Sequence, residues 1–167
     1  KVCKVGEAVA ERLVQYTAID EFTRLRYLKA YKEQSTHSSK DFLLSLIPYY
    51  LKRGIEIHCI QTDNGLEFTN RLTSHQTHRL TAFELAAQAL GIKLKYIRPY
   101  TPRHNGKVER SHREDQKRFY SHRRFYSFED FARQLAAWQP RSNQLPMRPL
   151  GFLSPAEFLE AYTVQDV

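Results

Sequence analysis

Residues 13–20 (LVQYTAID) and 25–31 (LRYLKAY) both alternate apolar and polar side chains, and only Glu21, Phe22, Thr23 and Arg24 separate them. A period of two on both sides of so short a break predicts an antiparallel hairpin. The period then changes. A Ser/Thr cluster at residues 35–39 is suited to cap a helix in which Phe42, Leu43, Leu46, Ile47, Tyr50 and Leu51 recur at helical spacing up to Gly54, with Pro48 placed to kink it. Residues 55–61 (IEIHCIQ) read as a buried strand, with Cys59 packed in it, and Thr62-Asp63-Asn64-Gly65 stops that strand.

Residues 71–79 are polar and aperiodic, after which Thr81 and Glu84 form a capping-box pair for a helix closing at Gly91. A strand is expected over residues 92–97 (IKLKYI), then a loop broken by Pro99 and Pro102, then a helix from Lys107 to about Tyr120 that is poor in apolar residues. Ser127 with Asp130, and Ser154-Pro155 with Glu157, open two more helices, the first burying Phe128, Phe131, Leu135 and Trp138, the second Phe158, Leu159 and Tyr162. The order strand, strand, helix, strand, helix, strand, helices predicts an α/β layer fold with a mixed sheet. At 167 residues and 41% hydrophobic composition this is one globular domain's worth of chain.

The chain carries a net charge of +8, and one segment holds all of it. Residues 93–124 contain 11 Lys/Arg and 3 acids, while the other 135 residues hold 15 of each sign. Such a run is a solvated helix face in many proteins, but it also suits a polyanionic partner. Cys3 and Cys59 have no metal-ligand spacing and exclude a disulfide framework, which fits a reducing compartment. No apolar run approaches the roughly 18 residues of a membrane span, so a membrane partner is not expected.

Two carboxylates stand out. Asp63 falls at the end of a strand, where open α/β sheets collect ligands, although Asp-Asn-Gly is also an ordinary turn tripeptide. Glu109 lies in the first turns of a helix inside the basic segment, where its plainer role is an i,i+4 ion pair with Arg113. Converging carboxylates hold divalent ions, and a pair of ions clamps both oxygens of a phosphodiester displacement. Mg2+ or Mn2+ suits such hard oxygen ligands. Lys95, Arg98, Arg103, Lys107, Arg110, Arg113, Lys117 and Arg118 would then hold a nucleic-acid backbone across the site.

At helical spacing Glu109, His112, Arg113 and Gln116 share one face, beside a basic stripe through Lys107, Arg110 and Lys117. His104 and His112 are either DNA contacts or neutral surface histidines. Tyr96, Tyr100, Phe119 and Tyr120 are either base-stacking or core aromatics.

The strings QTDNGLEFTN (residues 61–70) and IRPYTPRHNGKVERSHR (residues 97–113) resemble the second and third motifs of the integrase core shared by retroviral integrases and bacterial insertion-sequence transposases. YTAIDEFTRLRYL (residues 16–28) and the stretch from FYSFEDFARQL to MRPLGFLSPAEFL (residues 125–159) also resemble those transposases, so the likeness covers nearly the whole chain. It implies a ribonuclease-H-like mixed sheet flanked by helices, with residues 1–124 as the catalytic core and 125–167 as its C-terminal helical extension. It further implies a DDE-type polynucleotidyl transferase acting on double-stranded transposon ends and target DNA. The implied site has Asp63 and Glu109 as catalytic metal ligands, with Arg103, His104 and Asn105 among the DNA contacts. A homo-oligomer in the bacterial cytoplasm and no small-molecule substrate complete the picture.

In that family the first catalytic aspartate sits on a strand preceding the hairpin. Asp20 is the tempting substitute, but its strand runs antiparallel to that one, and five residues at about 3.3 Å each put it roughly 16 Å away at the opposite rim. Metal pairs stand about 4 Å apart, so Asp20 reads as a turn residue. The first aspartate is expected upstream of Lys1, with the first strand lacking. A catalytically inactive, DNA-binding or dimerising remnant is therefore the alternative to an active core. A ribonuclease H is disfavoured by the Pro-rich loop and the His-Asn-Gly-Lys-Val-Glu run.

Overall fold

The computed structural model describes residues 13–72, 79–97 and 106–165. They form two compact units, one of residues up to Lys32 together with those from Arg110 onward, the other from Glu33 to Glu109.

In the first unit β1 (Val14–Ile19) and β2 (Arg26–Tyr31) pair antiparallel from Val14↔Tyr31 to Ile19↔Arg26. Asp20 closes the hairpin as a turn residue: its Oδ2 accepts from the Thr23 backbone N–H and hydroxyl, both at 2.7 Å, and Arg24 takes the left-handed φ of 63°. One face of the hairpin presents Gln15, Thr17, Arg26, Leu28 and Ala30. Phe119, Tyr120, Phe125, Phe131 and Leu135 pack with Leu28 and Ala30 to form the core, with Trp138 stacked on Phe119 at 5.5 Å. Full burial of Phe131 and Leu135 stabilises by roughly 1.5–3 kcal/mol each.

Phe131 and Leu135 come from α4 (Phe128–Ser142), which Ser127 caps by accepting from Asp130 N–H. Asp130 reaches the Tyr126 N–H rather than that of Ser127, so only half of the expected reciprocal box forms. The box that opens α5 (Pro155–Gln165) is complete, with Glu157 accepting from Ser154 N–H and Ser154 Oγ accepting from Glu157 N–H. Tyr162 is not buried as expected. It is 47% exposed and meets Phe22, itself 54% exposed, edge to face at 4.9 Å.

In the second unit α1 (Thr36–Leu51) starts at the Ser35 cap and runs unbroken through Pro48. It buries Phe42, Leu43, Leu46 and Tyr50, packing on α2 (Ala82–Ala89), which buries Phe83, Ala86 and Ala87. α2 carries the full Thr81–Glu84 capping box and links β3 (Cys59–Thr62) to its parallel partner β4 (Lys93–Tyr96). β3 is shorter than the sequence suggested, because Lys93 N–H makes the last bond of the ladder, to His58 O, and the next that could face β3, Gly91 N–H, bonds to Gln88 O at the end of α2; nor is β3 a buried strand, since its residues alternate exposed and half-buried. Cys59 is exposed rather than packed. α3 (Gly106–Arg118) begins in the second unit and continues into the first. Among the described residues no helix is long and apolar enough to cross a membrane.

Candidate active site

Asp63 follows β3 directly, at the carboxyl end of a strand whose described neighbour β4 is parallel. The loop after it is pinned from several sides. Gly65 N–H donates to Asp63 Oδ1 at 3.1 Å, and Asn64 Nδ2 donates to Ile97 O at 2.9 Å, tying the end of β3 to the end of β4. Ser39 Oγ donates to Glu67 O at 2.6 Å, Gln34 donates to the Glu67 carboxylate, and Thr81 Oγ1 donates to Phe68 O at 2.9 Å. A Cβ on Gly65 would fall 2.5 Å from Glu67 Oε2, so a larger residue there would require the Glu67 side chain to shift. Asp63 is thus a turn residue by its Oδ1, while among the described residues its Oδ2 accepts no hydrogen bond.

Glu109 is exposed in the first turn of α3, in the same unit as Asp63. The pair with Arg113 does not form, and among the described residues Glu109 has no ion-pair partner; the i,i+4 pair on this helix is Glu114–Arg118 at 2.7 Å. Lys107, Arg110, Arg113 and Lys117 are exposed along α3, and Lys95 is exposed on β4. His112 departs from the expected face: it is half-buried, with Nε2 3.2 Å from Thr17 Oγ1 on β1. Arg98, Arg103, His104, Asn105 and Tyr100 lie outside the described residues.

The aromatic alternatives resolve toward packing. Phe119 and Tyr120 are buried in the core. Tyr96 donates its hydroxyl to Glu84 Oε1 at 2.8 Å, and the Arg71 guanidinium lies 5.1 Å over its ring. Burial opposes the charge on Glu84, yet hydrogen bonds from the Thr81 N–H and the Tyr96 hydroxyl, with the nearby Thr69 and Thr81 hydroxyls adding to them, outweigh it and hold this carboxyl below its ordinary value. Burial, together with the Glu84 hydrogen bond and charge, pushes the Tyr96 phenol up to about 12.

A group invisible to motif reading sits further along α3. Asp115 is fully buried, its Oδ2 accepting from Arg26 Nη2 at 2.5 Å and Gln15 Nε2 at 2.9 Å, its Oδ1 from Trp138 Nε1 at 2.8 Å. Part of the signal was present in the 3.6 period: Ser111 and Asp115 stand four residues apart as the buried positions of α3, and Phe119, the first residue after the helix, continues that spacing into the core.

A mixed α/β chain with a hairpin, a parallel pair joined by a helix and a carboxylate at the parallel strand's end has the ribonuclease-H-like fold of integrase catalytic cores. Solved structures agree. The catalytic core domain of BIV integrase matches with a TM-score of 0.63 and 21% identity over 93% of this chain and 91% of that one. A chain of the simian T-cell lymphotropic virus intasome, solved in complex with PP2A regulatory subunit B56 gamma, matches with a TM-score of 0.72 and 18% identity over 95% of this chain and 51% of that one. At these identities the likeness is one of fold. Family models described as integrase core domain match residues 2–102 and 90–149, and the chain belongs to the integrase core domain family. A comparison with curated proteins gives no match.

Proposed function

We propose that this chain is the catalytic core of a bacterial insertion-sequence transposase, a DDE-type polynucleotidyl transferase that cleaves and joins phosphodiesters of mobile-element DNA. Asp63 and Glu109 are its metal ligands in this reading, residues 1–124 the core and 125–167 its helical extension. The observation that carries it is Asp63 at the carboxyl end of a parallel strand, within one unit with an exposed Glu109 that has no ion-pair partner among the described residues, in a member of the integrase core domain family.

The donor set fits magnesium or manganese. Both groups supply hard oxygens, Asp63 retains Oδ2, and Mg2+ commonly takes one or two carboxylates while keeping waters and phosphate oxygens as its other ligands. When bound, such ions stabilise the attacking and leaving oxygens of an in-line displacement. The chain's own residues bind and orient. Asn64 and Gly65 fix the Asp63 carboxylate relative to β4, and Lys95, Lys107, Arg110, Arg113 and Lys117 hold the DNA backbone, with Arg98, Arg103, His104 and Asn105 extending that contact. Transposon ends and target DNA are the partners, handled by a homo-oligomer in the bacterial cytoplasm.

A second reading, a non-catalytic DNA-binding or dimerising remnant, draws on Asp20, whose carboxylate is engaged in its own turn, and on the described residues, where no three His, Cys, Asp or Glu side chains are grouped for a metal. The two readings part in a strand-transfer assay with Mg2+ or Mn2+. Activity that Asp63→Asn abolishes while salt-sensitive DNA binding persists is the outcome expected of an enzyme. Binding without any metal-dependent chemistry favours the remnant, and equal loss of binding and chemistry in Asp63→Asn makes Asp63 a purely structural turn residue.

A further inference from the structure

Asp63 is oriented through one oxygen. Its Oδ1 accepts from Gly65 N–H at 3.1 Å, and among the described residues its Oδ2 accepts no hydrogen bond, so the direction of Oδ2 follows from where the Gly65 N–H is held. Gly65 opens a single tight turn, its carbonyl accepting from Phe68 N–H at 2.9 Å and from Thr69 N–H at 3.0 Å. The last carbonyls of such a turn have no partner inside it. Two helices of the same unit supply hydroxyls to them: Ser39 on α1 donates to Glu67 O at 2.6 Å, and Thr81, the cap of α2, donates to Phe68 O at 2.9 Å.

Thr81 also serves its own helix, accepting from Glu84 N–H. Ser39 has no such duty. It is wholly buried in the first turn of α1, a helix that Ser35 already caps by accepting from Ser38 N–H. A hydroxyl has one proton to give. Ser39 finds an acceptor within its own helix in Thr36 O at 3.0 Å, yet Glu67 O, 28 residues away in the chain, is the closer of the two. Gln34 also reaches Glu67, but it grips the side-chain carboxylate and not the backbone of the turn.

We propose that Ser39 is a positioning residue for Asp63: by fixing the Glu67 carbonyl it holds the turn of residues 65–69, and through the Gly65 N–H it sets the direction in which Asp63 presents Oδ2. This rests on the reading of Asp63 as a metal ligand. Every group in this chain of contacts lies between Glu33 and Glu109, within one unit.

The test titrates Mn2+ alone into the full chain and follows the broadening of amide NMR signals at residues 63–65, alongside thermal unfolding and amide exchange at Gly65. In Ser39→Ala the Gly65 exchange should quicken. Broadening should need severalfold more Mn2+, short of the roughly ten-fold typical of losing a group bonded directly to a ligand. Ser38→Ala removes a neighbouring buried hydroxyl that accepts from Ser35, so it loosens the start of α1 without touching the turn, and it should leave both readings where they were. An unchanged Mn2+ requirement in folded Ser39→Ala overturns the proposal. An equal rise in Ser38→Ala also overturns it, since the effect is then a general loosening of α1. If Ser39→Ala does not fold, Ser39→Cys, similar in size with only a weak S–H donor, carries the same comparison with the same outcomes. Asp63→Asn tests the underlying reading separately, since it should abolish broadening at 63–65. If it does not, Asp63 is not a ligand, and the Gly65 exchange rates decide alone: exchange quickened in Ser39→Ala and not in Ser38→Ala upholds Ser39 as the residue that sets the Asp63 turn, and any other pattern overturns it.

Discussion

Tyr96 and Glu84 share one hydrogen bond whose strength depends on pH at both ends of the scale. Glu84 is held below 4.5, so its contribution to stability is complete above that value and is lost as pH falls through its folded value. Tyr96 is raised from 10.0 to about 12, so the folded state retains the phenol proton; that contribution is complete below pH 10 and is lost as pH rises from 10 to 12. Tyr96→Phe should therefore lower the urea midpoint by a constant amount from pH 6 to 9, and the gap should close between pH 10 and 12. A gap that stays constant through pH 12 contradicts the assignment. Neither partner was legible as a pair in the sequence, although Glu84 was read correctly as a capping residue. Asp63 was legible because a strand end and an Asp-Asn-Gly turn are both local patterns. For Asp115 the helical period could have shown its burial but not its partners, because Gln15 and Arg26 lie 100 and 89 residues away in the chain, beyond any window of periodicity.

At the scale of elements, the hairpin's free edge is the liability, and α4 answers it. Asn143, at the C-cap of α4, accepts from Arg26 N–H and donates to Arg26 O, both at 2.9 Å, and Gln139 accepts from Leu28 N–H at 2.8 Å. Two side chains of one helix thus satisfy backbone groups that an edge strand otherwise offers to another chain. Asn143→Ala strands a buried donor and a buried acceptor, and at about 1–3 kcal/mol for each such group it should destabilise by about 2–4 kcal/mol. Gln139→Ala strands only one, part-buried group and should cost about 1 kcal/mol. Denaturant unfolding of both variants checks the order, and a Gln139→Ala loss as large as that of Asn143→Ala removes the edge-sealing account. The elements themselves were largely readable, since capping serines and threonines, glycines at Gly54 and Gly91, and period changes all act locally. The length of β3 was not, because a strand ends where its partner stops offering hydrogen bonds, and the end of α2 had claimed the Gly91 N–H.

Across the whole molecule, charge is distributed so that residues 93–124 carry the entire +8 excess while the remainder is neutral. Lys107, Arg110, Arg113 and Lys117 remain exposed on α3, because the buried stripe of that helix is taken by Ser111 and Asp115 and leaves the basic side chains facing solvent. A helix docked through apolar residues would have had fewer positions for cations. The polar anchor and the basic surface are thus two sides of one sequence choice, and the second is measurable without any chemistry. Each phosphate neutralised by a lysine contributes about −0.9 to the slope of log K against log salt on double-stranded DNA. Replacing Lys107 and Lys117 together with glutamine should flatten that slope by about 1.8 if each meets one phosphate. The loss of affinity should be the same on element-end and unrelated duplexes, because phosphate contacts carry no sequence information. A slope unchanged by the double substitution would place the DNA on another face. An affinity loss confined to one sequence would mean that these lysines read bases.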